Sequence, residues 1–207
     1  MTKITNSKEL KNYWSHRYTE NNTGWDIGFP STPIKEYIDQ LDNKQLKILI
    51  PGAGNSYEAE YLFKKGFEQV HVLDIARAPL ESFQKRVPNF PAKQMIEGNF
   101  FEHQIKYDLI LEQTFFCSFP PTQSSRQLYA KKMYDLLKPQ GKLVGLWFDM
   151  PLTGDMEKRP FGGDKEEYLG YLSPFFEVVI FDKCTNSIPP RSGSELFGIF
   201  KRRQHKQ

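Results

Sequence analysis

Cysteine is scarce in this chain of 207 residues, which carries only Cys117 and Cys184. The stretch from Met1 to Leu10 is too polar for an export signal, so both are expected as free thiols rather than a bridge. Histidine is nearly as thin. His16, His71, His103 and His205 are scattered without metal-ligand spacing, and no zinc site is expected. No apolar run approaches the length of a membrane span, so a cytoplasmic protein without a membrane partner is expected. An excess of one charge is also lacking. The net charge is +3, much of it from the tail residues Lys201, Arg202, Arg203 and Lys206. Such a tail reads as a solvated end, and no nucleic-acid partner is expected.

What remains is the balance of a soluble globular protein, 39% hydrophobic and 26% charged, with a length that suits one domain and a full core. Aromatics are rich, with 17 Phe and 10 Tyr, and most of them should serve that core. One stretch carries more information than the others. An apolar run at Ile48–Ile50 breaks into a glycine turn at Gly52 and Gly54. A helical segment follows, then a second apolar run that ends on Asp74. Strand, glycine turn, helix, strand and acid begin a nucleotide-binding βαβ unit. The glycines let the backbone approach a ligand, and the helix start offers free N–H groups. A carboxylate at the second strand end can accept bonds from two ribose hydroxyls. An adenosine-containing cofactor is therefore expected. A dinucleotide fingerprint would place a third glycine where Tyr57 stands, and no basic residue between Pro51 and Tyr57 resembles a phosphate-binding lysine. Such a turn suits S-adenosylmethionine better than a pyrophosphate.

The remaining pattern alternates. A helix from Ser7 to about Tyr18 puts Leu10, Tyr13, Trp14 and Arg17 on one face. A loop over 20–32 holds Gly24-Trp25-Asp26-Ile27-Gly28. A short helix runs from Pro33 to about Leu41. Strands are predicted at 46–50, 69–73, 93–97, 107–111 and 141–148, and helices at 55–65, 78–86 and 124–137. The helix ending at Leu137 is expected to stop in a turn at Lys138-Pro139-Gln140-Gly141. A polar loop over 149–164 precedes a helix at 165–171 and two last strands near 175–182 and 194–201. Alternating strands and helices predict an α/β fold with a doubly wound, mostly parallel sheet and an antiparallel hairpin at its C-terminal edge. Ligands of such sheets lie at the carboxyl ends of strands, where strand order reverses. That rule gathers Gly52, Gly54, Asp74, Asn99, Phe100, Glu112 and Gln113 on one shelf.

Several of these stretches resemble the thiopurine S-methyltransferase family, and most closely its thiol and halide methyltransferase branch. They are Trp14…Trp25-Asp26…Gly28, Ile50-Pro51-Gly52-Ala53-Gly54, Leu73-Asp74-Ile75, Phe115-Phe116-Cys117, and Tyr129 to Gly141 with its Met133-Tyr134-Asp135-Leu136-Leu137 core. The likeness covers Trp14 to Phe200. It implies a seven-stranded, Rossmann-like class I methyltransferase fold with S-adenosylmethionine as cofactor. It also implies an N-terminal helical lid, so the single domain divides into a lid segment (1–42), a cofactor-binding core (43–202) and a basic tail (203–207). Positions matching Trp14, Tyr18, Trp25, Gly52, Asp74, Asn99, Phe100 and Gln113 line the cofactor site in that family, and Gly54 belongs to the same turn. The Asn99 side chain and Phe100 backbone should address the adenine, and Gln113 the methionine end.

Methyl transfer from a sulfonium to a thiolate or halide cancels two charges and asks little proton transfer of the protein, so no catalytic base is named. The halide-branch relatives carry Gly-Gly-Pro-Pro-Tyr after the fifth strand, whereas this chain reads Glu157-Lys158-Arg159-Pro160-Phe161. Phe161 replaces the phenol, and positive charge is added. The expected substrate-side residues are Trp25, Arg159 and Phe161, with Lys158 as a second cation, and the departure favours a larger or anionic thiol over a halide. The expected partner is a small-molecule nucleophile, met by a monomer. Three alternatives stay open: a methyltransferase for another small molecule or a macromolecule, a nicotinamide oxidoreductase, and a cofactor-binding protein without catalysis.

Overall fold

The computed structural model of the protein describes residues 7–152 and 159–204. Its centre is a seven-stranded sheet in the order β3-β2-β1-β4-β5-β7-β6. The strands are β1 (Ile48–Pro51), β2 (Val70–Asp74), β3 (Met95–Glu97), β4 (Tyr107–Gln113), β5 (Leu137–Phe148), β6 (Phe176–Lys183) and β7 (Glu195–Arg202). The first five pair in parallel, and β7 lies antiparallel between β5 and β6. The last two strands thus form the expected hairpin, with β6 outermost. Among the described residues six α-helices accompany the sheet: α1 (Ser7–Thr19), α2 (Thr32–Asp39), α3 (Tyr57–Lys64), α4 (Arg77–Arg86), α5 (Gln123–Leu136) and α6 (Lys165–Leu172). Among the described residues no helix is long and apolar enough to cross a membrane.

Parallel strands need cover on both faces, and the central strands are accordingly apolar throughout. Side chains alternate between two cores. Ile48, Ile50, Leu109, Leu111, Val144 and Leu146 pack with α2, α3 and α4, while Leu49, Ile110, Leu143 and Trp147 pack with α5 and α6. Burying each such side chain is worth about 1.5–3 kcal/mol, which fixes the strands in register. Local signals set the helix ends. Gly66, at φ +85°, follows the last turn of α3, the Thr122 hydroxyl accepts from the Ser125 N–H, and Asp164 accepts from the Glu167 N–H at the start of α6.

One expectation is corrected. The residues Lys138-Pro139-Gln140-Gly141 do not form a turn between helix and strand, because β5 already begins at Leu137 and runs through them. Tyr107 pairs with Leu137 and Leu109 with Lys142, so the extra residues form a bulge, with Gln140 at φ +67°. The β4 edge captures the backbone that local turn chemistry would have released. The Ser7 hydroxyl, in turn, donates to the Glu102 carboxylate at 2.5 Å and receives the Asn99 amide at 2.8 Å, which pins the start of α1 to the segment after β3.

Candidate functional site

The chain leaves β1 toward β2 and β3, then crosses back to β4 on the other side of β1. Strand order therefore reverses between β1 and β4, and a cavity of about 510 Å³ opens at that edge. Its floor is the turn after β1. Gly52 and Gly54 have φ of +58° and +52°, a region that favours glycine. A Cβ at Gly52 would lie 2.1 Å from the Phe115 ring, and one at Gly54 would lie 3.1 Å from the Tyr18 hydroxyl. Glycine is thus required both by the backbone and by what stands over it.

Asp74 closes the turn from the end of β2. One carboxylate oxygen accepts the Gly54 N–H at 2.9 Å and the other the Ala76 N–H at 2.8 Å. The carboxylate keeps acceptor capacity for a ligand hydroxyl beyond these bonds. Burial pushes the carboxyl up to about 6, against the N–H bonds from Ala76, Gly54 and Ile75 that hold it down. Asn99 and Phe100 border the same end of the cavity. The Asn99 side chain is already engaged, since its oxygen accepts the Phe101 N–H and its amide reaches Ser7.

The roof comes from α1 and the loop after it. Trp25 meets Trp14 and Tyr18 edge to face, with ring centroids 5.4 and 5.7 Å apart. The Arg17 guanidinium lies 5.0 Å from the Trp25 ring centroid. Arg191, from the turn between β6 and β7, donates to the Trp25 carbonyl at 2.9 Å, and the Asn55 amide donates to Asp26. The Tyr18 phenol is pushed far above its usual range, first by burial and then by the Asp74 charge, and stays a neutral donor.

At the other end stands Arg159. Its Nε donates to the Ser118 carbonyl at 2.8 Å, and its guanidinium lies 4.6 Å from the Tyr13 ring and 5.2 Å from the Phe161 ring. Phe161 itself is buried behind it and does not line the cavity, so the expected substrate contact becomes a backing for Arg159. Glu157 and Lys158 lie outside the described residues. Cys117 borders the cavity, yet burial and the neighbouring Glu112 push its thiol far up, and it remains a protonated small side chain.

Gln113 and Gly54 line a smaller adjoining pocket of about 60 Å³, which shares Gly52, Trp25 and Thr114 with the main cavity. The Gln113 side-chain oxygen accepts the Ser31 hydroxyl at 2.7 Å. The structure therefore gathers Trp14, Tyr18, Trp25, Gly52, Asp74, Asn99, Phe100 and Arg159 around one cavity and sets Gly54 and Gln113 just behind it. Sequence reasoning missed Arg17 and Arg191 as lining residues. The helical spacing from Trp14 could have found Arg17, whereas nothing local marks Arg191.

The cavity fits an adenosine-bearing ligand by two observations: the close approach that the side-chain-free Gly52 allows, and the spare acceptor capacity of a buried Asp74.

A family profile described as thiopurine S-methyltransferase (TPMT) matches residues 10–206. The chain is 30% identical over 195 residues to probable thiol methyltransferase 2 of Arabidopsis thaliana, covering 91% of this chain and 84% of that protein. It is 28% identical over 196 residues to thiocyanate methyltransferase 1 of the same plant, with the same coverage. Among solved structures it resembles the 1,6-didemethyltoxoflavin-N1-methyltransferase of Burkholderia thailandensis, with a TM-score of 0.77 at 14% identity over 96% of this chain and 89% of that one. It also resembles magnesium protoporphyrin IX methyltransferase from Synechocystis, with a TM-score of 0.72 at 13% identity over 96% of this chain and 100% of that one. These two likenesses concern the fold.

Proposed function

This chain belongs to the thiopurine S-methyltransferase family and is an S-adenosylmethionine-dependent methyltransferase, and from that premise we propose that its acceptor is a small anionic thiol. The observation that carries this reading is the charge of the cavity. Its described charged side chains are Arg17, Arg159 and Arg191 against Asp74 alone, and with Arg191 paired to Glu195 behind the lining, Arg17 and Arg159 remain to meet an anion.

Asp74 accepts the ribose hydroxyls, and Trp14, Tyr18 and Trp25 cover the adenosyl group and the sulfonium. Asn99 and Phe100 border the adenine through shape rather than through the Asn99 amide, which is already bonded. Gln113 serves the methionine end from the smaller pocket. Bound there, S-adenosylmethionine supplies a methyl group on a sulfonium, which the acceptor takes by in-line displacement. Aromatic edges and faces beside a cation contribute about 0.5–2 kcal/mol, depending on desolvation. The roof also keeps water from a soft anion, which raises its reactivity. Arg159 has only its Nε committed to Ser118 among the bonds described, and its planar end can face a carboxylate or thiolate. A cation there lowers a thiol from its usual value of about 8.5, so more of the acceptor arrives as thiolate. Holding the two reacting atoms in line does most of the rest, worth up to about 7–11 kcal/mol in the best oriented cases.

The test combines titration calorimetry with S-adenosylmethionine and a mass-spectrometric product screen over mercaptoacetate, hydrosulfide, thiocyanate and iodide. Mercaptoacetate should be methylated with the highest kcat/KM. Arg159→Met should raise its KM about tenfold and leave cofactor affinity within twofold. Iodide or thiocyanate as the better acceptor, or an unchanged KM in the variant, would refute the reading.

A further inference from the structure

Glu112 ends the apolar run of β4, is fully buried and does not border the main cavity. A single oxygen, Oε1, accepts the N–H groups of both Phe115 and Phe116 at 2.8 Å. The other oxygen, Oε2, is buried and has no hydrogen-bond partner among the described residues. Gly145, the facing residue on β5, lets the two strands close at this point, since a Cβ there would lie 2.4 Å from the Glu112 carbonyl oxygen and 2.8 Å from the Glu112 Cβ. The two N–H groups belong to a sharp turn that starts at Thr114, with φ +55°. That turn carries much of the acceptor side. Phe115 presses on Gly52, the Cys117 carbonyl receives the Phe161 N–H, and the Ser118 carbonyl receives Arg159.

We propose that Glu112 is a positioning residue for methyl transfer: its carboxyl clamps the turn at 114–118, and through that turn sets Phe115 against the glycine floor and Arg159 toward the acceptor. The acceptor half of this inference rests on Arg159 being the acceptor-side cation. The groups facing Glu112 agree on its protonation. Burial first, then Glu195 on β7, push the carboxyl up to about 8, against the two N–H bonds. Cys117 in the turn, Tyr129 on α5 and Tyr168 on α6 each feel its charge, and Glu58 on α3 lines the small pocket beside it. The nearby cation Arg191 is taken by Glu195, at 3.4 Å. Arg126 on α5 stacks over Phe116 and pairs with Glu167. At neutral pH the residue therefore holds the turn as a neutral acid. Ionisation would leave a charge on Oε2 with nothing to meet it, and the turn opens to water. A carboxyl raised in the folded state favours folding at low pH and loses that contribution as pH rises through about 8.

The test is hydrogen exchange of the peptide spanning 112–119, corrected for intrinsic rates, with wild type, Glu112→Gln and Glu112→Leu at pH 7 and pH 9. Gln keeps the acceptor oxygen and copies the protonated acid. Wild-type protection should fall about tenfold between the two pH values. The Gln variant should keep it at both, and the Leu variant should lack it at both. Wild-type protection that ignores pH, or a Gln variant that loses protection as wild type does, overturns the clamp even if the Leu variant fails to fold. At pH 7 wild type and the Gln variant should share one KM for mercaptoacetate, whereas at pH 9, where both meet the same thiolate fraction, the wild-type KM should lie about tenfold above that of the Gln variant with cofactor affinity within threefold. Cofactor affinity falling instead, with the two acceptor KM values still equal, overturns the positioning role. A wild-type enzyme that methylates no thiol rejects the acceptor reading alone, since the exchange measurement needs no acceptor.

Discussion

The floor and the roof of the cavity are built in opposite ways. β1 contributes four residues, all buried, whereas α1 runs for thirteen residues and buries none completely. The floor is positioned by two apolar cores and by a turn that tolerates no added atom. The roof is held by edge-to-face rings, by Arg17 over Trp25, and by single bonds from Arg191 and Ser7. Floor residues should therefore govern stability as well as binding, while roof residues govern ligand contact and turnover with little effect on stability. Segments with few buried apolar contacts open at low free-energy cost, which suits a lid that admits cofactor and acceptor.

The sharpest break in this contrast is Gly52→Ala. A left-handed backbone costs a non-glycine residue about 1–2 kcal/mol, and the new methyl also collides with Phe115. Denaturant unfolding should show a loss of about 3 kcal/mol in all, and calorimetry a cofactor affinity at least a hundredfold weaker. Retained affinity would mean that the floor is softer than it looks. Asp74 comes next. Asp74→Ala should weaken cofactor binding at least tenfold at pH 7. In wild type the carboxylate titrates near 6, so affinity should fall about tenfold from pH 7 to pH 5, a dependence the variant lacks. A flat wild-type profile would exclude the ionised carboxylate as the ribose acceptor. The smallest effect on the fold belongs to the roof. Trp25→Ala should lower kcat about tenfold and leave the melting temperature within about 2 °C, because its backbone bond to Arg191 survives. A drop of ten degrees would make the roof part of the core and erase the distinction.

The same contrast explains what could be read from residues alone. Ile48 to Asp74 announces its structure locally, since apolar alternation, glycine and a strand-end acid each have one physical use. Tyr57 in place of a third glycine was enough to separate the cofactor classes. Lys138 to Gly141 was misread because proline, glutamine and glycine speak of a turn, while the decisive force is an unpaired β4 edge more than twenty residues upstream in sequence. Arg159 was reached through the loop compared with the family, whereas Arg191 comes to the cavity only through tertiary packing, and neither spacing nor periodicity places it there. Glu112 gave a faint sign, an acid inside an apolar run, but its two N–H partners come from a turn whose shape no short motif encodes.

β7 sits between β5 and β6 and is the last strand in chain order. During synthesis the β5 border of the sheet must then wait, uncovered, until residue 202 has left the ribosome. β6 meanwhile has no neighbour to join. Leu196, Phe197 and Phe200 therefore act as a final wedge, and a nascent chain arrested before them would present Val144 and Leu146 to chaperones as an unfinished surface.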